Sequence, residues 1–90
     1  MREKVYSISF TKTSEKQYKL LAKKVQREIA LILEEIARDP LLGKALHGPL
    51  KGLRSKRVGK FRIVYKQEKK QLVVVIVNIE HRKSVYRKKQ

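Results

Sequence analysis

The chain has 90 residues and no cysteine, which limits it to one small domain over residues 1–90 and excludes disulfides and thiolate metal sites. Its formal net charge is +16, from 24 Lys and Arg against 8 Asp and Glu, whereas solubility needs a surplus of only about 2 to 8. Because this charge is spread along the chain and not concentrated on one amphipathic helix, we expect a polyanionic partner, nucleic acid before an acidic membrane surface.

The N-terminal segment predicts a strand. Residues 1–6 contain no apolar signal-peptide core, so export is not expected, and the absence of cysteine fits a cytoplasmic location. In Val5 to Phe10, apolar and polar side chains alternate, with Tyr6, Ile8 and Phe10 on one face. This alternation predicts a half-buried strand and is compatible with a position at an edge of the sheet.

Two helical stretches are predicted next, with Thr11, Thr13 and Ser14 as candidate caps. The first runs from about Ser14 to Lys24 and the second from about Val25 to Arg38. A break near residues 23–26 would make them an antiparallel hairpin, and periodicity leaves one bent helix as the alternative. In the second stretch an apolar stripe suited to packing on a sheet is formed by Val25, Ile29, Ile32 and Ile36, widened by Leu33 and Ala37.

The Asp39-Pro40 step ends the second helix, because the residue before proline disfavours the α region. Residues 41–52 hold three of the four glycines and the second proline. They predict a structured connector that Leu42, Leu46 and Leu50 tuck under the sheet.

Three further strands are predicted over about residues 53–57, 61–66 and 72–79. Gly59 permits a tight turn or bulge, and residues 67–71 form a polar hairpin turn. The last strand is the most apolar run of the chain, which suits a mid-sheet strand covered on both faces. The element order predicts an α+β fold, with an N-terminal strand and a helical hairpin packed on one face of a small antiparallel meander. The other face carries the arginines and is open to a ligand.

The polar residues around the last strand predict a site. His81, Arg82 and Tyr86 follow that strand, and Arg62 lies on the strand before it. The carboxylates are scattered and no zinc-type spacing occurs, so neither a Mg²⁺ site nor a zinc site is expected.

Three runs of the sequence resemble the RelE toxins of the RelE/ParE superfamily. They are Leu-His-Gly-Pro-Leu-Lys-Gly-Leu, Arg-Val-Gly-Lys-Phe-Arg-Ile-Val-Tyr and His-Arg-Lys-Ser-Val-Tyr-Arg. The resemblance extends over nearly the whole chain and implies a RelE-like fold with a curved sheet. It also implies a ribosome-dependent mRNA endonuclease that contacts rRNA and A-site mRNA, and that an acidic RelB-like antitoxin neutralises. No membrane and no small-molecule cofactor are implied.

The resemblance also assigns residues. Arg62 matches the arginine of the family's Gly-x-Tyr-Arg strand, with Phe61 in the tyrosine position, while Arg82 and Tyr86 match the closing His-Arg-x-x-x-Tyr motif. Family members use lysines on the strand before the glycine turn, where this chain has Leu53 and Ser55. The missing charge then falls to a neighbouring cation: Arg54, Lys56 or Arg57.

Such a site needs no metal, because RNA supplies its own nucleophile, the 2′-hydroxyl. Arg62 and Arg82 would clamp the scissile phosphate from two sides, since a guanidinium fork fits two phosphate oxygens. His81 would act as acid or base, and Tyr86 would stack on a base, position the hydroxyl or give up a proton. Further contacts to RNA are expected from the basic residues around them: Arg54, Lys56, Arg57, Lys60, Lys83 and Arg87.

Two other functions fit the same sequence. A ParE-like toxin would bind gyrase and cleave nothing. A catalytically inactive RNA-binding domain would bind ribosomes in a salt-sensitive manner without cutting RNA.

Overall fold

The computed structural model describes residues 5–81, which form five strands and two α-helices. In chain order the elements are β1 (Ser7–Phe10), α1 (Lys12–Lys19), α2 (Lys23–Arg38), β2 (Lys44–Ala45), a 3₁₀ turn (Gly48–Leu50), β3 (Arg54–Val58), β4 (Phe61–Glu68) and β5 (Val73–His81). The predicted α+β order is confirmed. Within residues 5–81 no helix has the length and apolar character needed to cross a lipid bilayer.

All five strands belong to one sheet with the order β1-β5-β4-β3-β2. Strands β3, β4 and β5 form the predicted antiparallel meander, and β1 lies at the edge as expected. Two features were not predicted. Strand β1 pairs in parallel with β5, and the connector contributes the two-residue strand β2, paired with β3.

The apolar stripe of α2 packs on one face of this sheet, as its periodicity predicted. Ile29, Leu33 and Ile36 are buried in one cluster with side chains of the two central strands: Ile63 and Tyr65 of β4 and Val74, Ile76 and Ile79 of β5. This cluster fixes which face of each strand is turned to the helices.

Helix α1 continues along the edge of β5 where β1 stops. Thr11 is the cap that forms, since its hydroxyl accepts the Ser14 N–H at 3.1 Å. The buried Ser14 hydroxyl then donates to the carbonyl of Ile76 at 2.6 Å. Further along β5, beyond the last β1 pairing at Ile76, Gln17 Oε1 accepts the Ile79 N–H at 2.6 Å. Side chains of α1 thus form hydrogen bonds to backbone groups at the edge of β5 that a neighbouring strand would otherwise bind.

The break between the helices falls at residues 20–22 and not at 23–26. Two reciprocal bonds hold the turn: the Tyr18 hydroxyl donates to the Gln26 carbonyl at 3.1 Å, and Gln26 Nε2 donates to the Tyr18 carbonyl at 2.8 Å. The alternative of one bent helix is therefore excluded.

Two predictions about burial were wrong. The connector is not tucked in by its leucines, because Leu42 and Leu50 are exposed. Instead the buried Tyr65 hydroxyl donates to the Pro40 carbonyl and accepts the Gly43 N–H, each at 2.8 Å. The last strand is also not covered on both faces: Val74 and Ile76 are buried against the helices, whereas Val73, Val75 and Val77 are partly exposed. The strand begins one residue late because Leu72 has φ 55° and belongs to the turn.

Candidate nucleic-acid interface

The register of the meander shows on which face of the sheet each predicted site residue of β3, β4 and β5 lies, since opposed residues of antiparallel strands point the same way. Ile63 lies opposite Ile79, and both are in the helix-side core. The residues that alternate with them point to the other side, which we call the arginine face. On its three central strands the arginine face carries Ser55, Arg57, Arg62, Val64, Lys66, Glu68, Val73, Val75, Asn78 and Glu80.

One row of this face brings three charged residues together. Arg57 of β3 lies directly opposite Arg62 of β4, and Arg62 lies directly opposite Glu80 of β5. The hairpin between β3 and β4 sets this row, because its loop has only two residues and Gly59 takes the positive φ of 58°. Like charges directly opposite on neighbouring strands repel, so the two arginines favour an anion bound between them.

Arg62 is held in place by an ion pair. Its Nη2 donates to Glu80 Oε1 at 2.7 Å, and its side chain is 40% exposed. Its Nε is buried and, within residues 5–81, has no hydrogen-bond partner. Arg57 is exposed and makes no ion pair with any residue in that range. The row therefore offers an approaching phosphate one guanidinium held by an ion pair and one that is exposed.

A relay of side chains connects the ion pair to α1. Glu80 Oε2 accepts from Asn78 Nδ2, Asn78 Oδ1 accepts from Gln17 Nε2, and both bonds are 2.5 Å long. Sequence reasoning missed all three residues. The sequence could have drawn attention to Glu80, because Glu68 and Glu80 are the only acidic residues after Asp39, whereas the same part of the chain has fifteen Lys and Arg.

His81 lies on the other side of the sheet from Arg62. It is opposite Phe61, and the two rings meet edge to face with centroids 4.9 Å apart. Phe61 packs against the helix-side core. The structure therefore brings Arg62 together with Arg57 and Glu80, and it does not bring Arg62 together with His81.

Known proteins are similar to this chain in sequence and in the arrangement of their elements. Residues 5–86 match the family described as "ParE toxin of type II toxin-antitoxin system, parDE". Toxin RelG of Mycobacterium tuberculosis is 33% identical over 88 residues, which cover 92% of this chain and 98% of RelG. The chain belongs to the RelE/ParE superfamily of type II toxins.

Solved structures agree with this assignment. The RelBE2 toxin–antitoxin complex of M. tuberculosis matches with a TM-score of 0.82 and 28% identity over 90% of this toxin and 95% of that chain. The isolated E. coli RelE toxin matches with a TM-score of 0.75 over 92% and 93% of the two chains, and at 20% identity that likeness concerns the fold alone. The predicted RelE-like fold is confirmed.

The other basic residues predicted to contact RNA are divided between the two faces of the toxin's sheet. Arg54 and Lys56 lie opposite Tyr65 and Ile63, on the helix side. Arg54 is used in a structural contact, since its Nη1 donates to the Gly43 carbonyl at 2.7 Å. Lys60 is exposed in the hairpin turn. Of the three cations considered for the missing lysine charge, only Arg57 shares a face with Arg62.

Four of the predicted site residues lie outside the part of the toxin that the structure describes: Arg82, Lys83, Tyr86 and Arg87. Their roles, and the convergence of Arg62 and Arg82 on one phosphate, stay predictions.

Proposed function

We propose that this toxin is a ribosome-dependent mRNA endonuclease that acts in the cytoplasm and cleaves RNA through the 2′-hydroxyl of the substrate, without a metal ion. The observation that carries the proposal is the pair of arginines opposite each other on β3 and β4. Two cations opposite each other on adjacent strands suit the extra negative charge of a phosphodiester in the transition state, and preorganised charge commonly contributes more to catalysis than any other single effect.

In this mechanism Arg62 clamps the scissile phosphate together with Arg82, and Arg57 supplies the cation that family members take from lysine. The 2′-oxygen attacks the phosphorus as its proton passes to a base, a 2′,3′-cyclic phosphate forms, and the bond to the 5′-oxygen breaks as that oxygen takes up a proton. Because His81 lies on the helix side of the sheet, we assign the positioning of the 2′-hydroxyl to Tyr86. For the same reason His81 is assigned no proton transfer at the phosphate that Arg62 clamps.

The proposed partners follow from charge and family. A chain of net charge +16 attracts ribosomal RNA and an acidic antitoxin alike. The RelBE2 structure of M. tuberculosis and the intact RelBE structure of E. coli are toxin–antitoxin complexes. These relatives support an acidic RelB-like protein as the partner that neutralises this toxin.

Reconstituted translation with purified toxin tests the function. We expect the wild-type protein to cut ribosome-bound mRNA, and Arg62→Ala or Arg82→Ala to slow cleavage by about 100-fold or more, since each removes a preorganised cation. Arg57→Ala should slow it as well. Arg27→Ala is the matched control, because Arg27 is an exposed arginine of α2, and it should cut at the wild-type rate. A doubly substituted Arg62→Ala, Arg82→Ala toxin that still cuts mRNA would contradict the proposal.

The name of the matched family favours a second candidate, a ParE-like toxin that inhibits gyrase. A DNA supercoiling assay with the same toxin preparation separates the two. Cut mRNA with unimpaired supercoiling supports the nuclease, and intact mRNA with inhibited supercoiling supports the gyrase inhibitor. Salt-sensitive ribosome binding without either effect would leave the inactive RNA-binding domain.

A further inference from the structure

The arginine face contains both acidic residues of the C-terminal half of the chain. Glu68 and Glu80 are the only acids after Asp39, and each pairs with a cation of β4. Glu68 Oε2 lies 3.1 Å from Lys66 Nζ, and Glu80 Oε1 lies 2.7 Å from Arg62 Nη2. In so basic a chain, the two acids therefore lie beside the cations that a phosphate would otherwise contact.

The two pairs differ in how firmly the acid is held. The side chains of Lys66 and Glu68 are 53% and 38% exposed, and Glu68 makes no other side-chain hydrogen bond within residues 5–81. Glu80 is only 18% exposed, and its second oxygen accepts from Asn78. Asn78 is in turn bound by Gln17, whose own oxygen accepts the Ile79 N–H. Glu80 is thus a fixed carboxylate, supported from α1.

The position of this carboxylate restricts how Arg62 can bind an anion. Its Nε is buried, so a phosphate can approach the guanidinium only through the two terminal nitrogens. One of these, Nη2, already donates to Glu80. A phosphate that binds both terminal nitrogens therefore shares Nη2 with Glu80 and meets a fixed negative charge beside it.

We propose that Glu80 is an internal counter-anion that occupies the phosphate-binding edge of Arg62, and that RNA must displace its carboxylate from Arg62 to bind there. The inference rests on the proposed function insofar as the ligand is an RNA phosphodiester. It makes Glu80 a residue that sets the affinity of the site. Arg62 alone is then a weak phosphate site, and tight binding requires further cations such as Arg57 in the same row.

The test measures binding apart from cleavage. A short 2′-O-methyl RNA cannot be cut by a 2′-hydroxyl mechanism, so its affinity is read by fluorescence anisotropy at several salt concentrations. We expect Glu80→Gln, which keeps an oxygen for hydrogen bonding but removes the charge, to tighten binding by about fivefold to tenfold. Glu68→Gln is the matched control: it removes the same charge from the same face and should change affinity by less than about twofold.

A double-mutant cycle tests whether Glu80 changes the affinity for RNA through Arg62. In an Arg62→Ala background, Glu80→Gln should tighten binding no more than Glu68→Gln does, because the group that the carboxylate competes for is gone. Circular dichroism and thermal unfolding show whether each variant is folded. Glu80→Met, an apolar side chain of similar length, replaces the glutamine variant if that one does not fold.

The following outcomes would overturn the inference. Glu80→Gln that binds RNA no more tightly than Glu68→Gln, or more weakly than wild type, overturns the inference while leaving RNA binding intact. Arg62→Ala that weakens RNA binding while Glu80→Gln is neutral does the same. If wild type and all variants fail to bind the RNA at low salt, the inference is overturned, while the proposed function is decided separately by mRNA cleavage in reconstituted translation.

Discussion

Tyr65 is the residue on which the connector before β2 depends. It is fully buried in β4, and its hydroxyl donates to the Pro40 carbonyl and accepts the Gly43 N–H. Gly43 is required beside it, because a Cβ there would lie 2.6 Å from the Tyr65 oxygen and 2.8 Å from the Ser55 carbonyl oxygen. Tyr65 thereby joins the helix-side core to the connector that leads into the arginine-bearing hairpin.

Tyr65→Phe should therefore lower the free energy of unfolding by about 1 to 3 kcal/mol, since two buried backbone groups lose their partner. Urea unfolding near neutral pH measures this. Tyr18→Phe, which loses one partly buried bond to Gln26, should cost less. A Tyr65→Phe protein as stable as wild type would show that the hydroxyl contributes nothing to the connector.

The stability difference between wild type and Tyr65→Phe depends on pH. Burial raises the pKa of Tyr65 above its ordinary value of 10.0, while the bond from Gly43 and the charge of Arg54 act the other way. The folded state thus favours the neutral phenol, so the stability from Tyr65 is complete below about pH 10 and is lost as the pH rises above it. The difference between wild type and Tyr65→Phe should therefore stay constant from about pH 8 to about pH 9 and shrink as the pH rises above about 10. A difference that grows over this range contradicts the assignment, and lysine titration cancels because both proteins share it.

At the scale of elements, the attachment of α1 to β5 is the least expected feature of the fold. It depends on the buried Ser14, whose hydroxyl donates to the Ile76 carbonyl. Ser14→Ala should lower the free energy of unfolding by about 1 kcal/mol. The neighbouring exposed Thr13 provides the control, and Thr13→Ala should change stability by less than about 0.5 kcal/mol. Equal losses in the two variants would mean that the bond to β5 does not stabilise α1.

Local sequence patterns were enough to predict most of the helices and strands. Contacts between distant residues determine the end of α1 and the pairing of β1, which those patterns did not predict. The period of Val25, Ile29, Ile32 and Ile36 was enough to place α2 and its buried side. The end of α1 could not be found in the same way, because residues 20–22 include no glycine or proline and two side-chain bonds to α2 hold the turn. The parallel pairing of β1 with β5 joins residues more than sixty positions apart and leaves no local signal.

The candidate site, like the fold, could be predicted only in part from the sequence. Alternation and family resemblance were enough to single out Arg62. They could not choose among Arg54, Lys56 and Arg57, because a shift of one residue in strand register moves every side chain to the opposite face. Only the pairing of β3 with β4 shows that Arg57 is the one beside Arg62. In the same way, Glu80 became visible as a partner of Arg62 only through the pairing of β4 with β5.

At the scale of the whole molecule, the net charge and the fold both support the proposed binding of RNA. The toxin has a net charge of +16 and the fold of the RelE/ParE superfamily. Its helices cover one side of the sheet, and the other side carries a row of two arginines and one glutamate. This division leaves the helix side for stability, and the arginine face is the one that we propose binds RNA.

The central claim is that this face clamps an RNA phosphodiester while the RNA supplies the attacking oxygen. The most direct measurement uses ribosomes programmed with an mRNA that carries one 2′-deoxynucleotide at the cleavage position mapped on the all-ribose message. We expect the toxin to cut the all-ribose mRNA and leave the substituted position intact, since the nucleophile is missing there. Cleavage of both messages at that position and at equal rates would contradict the account.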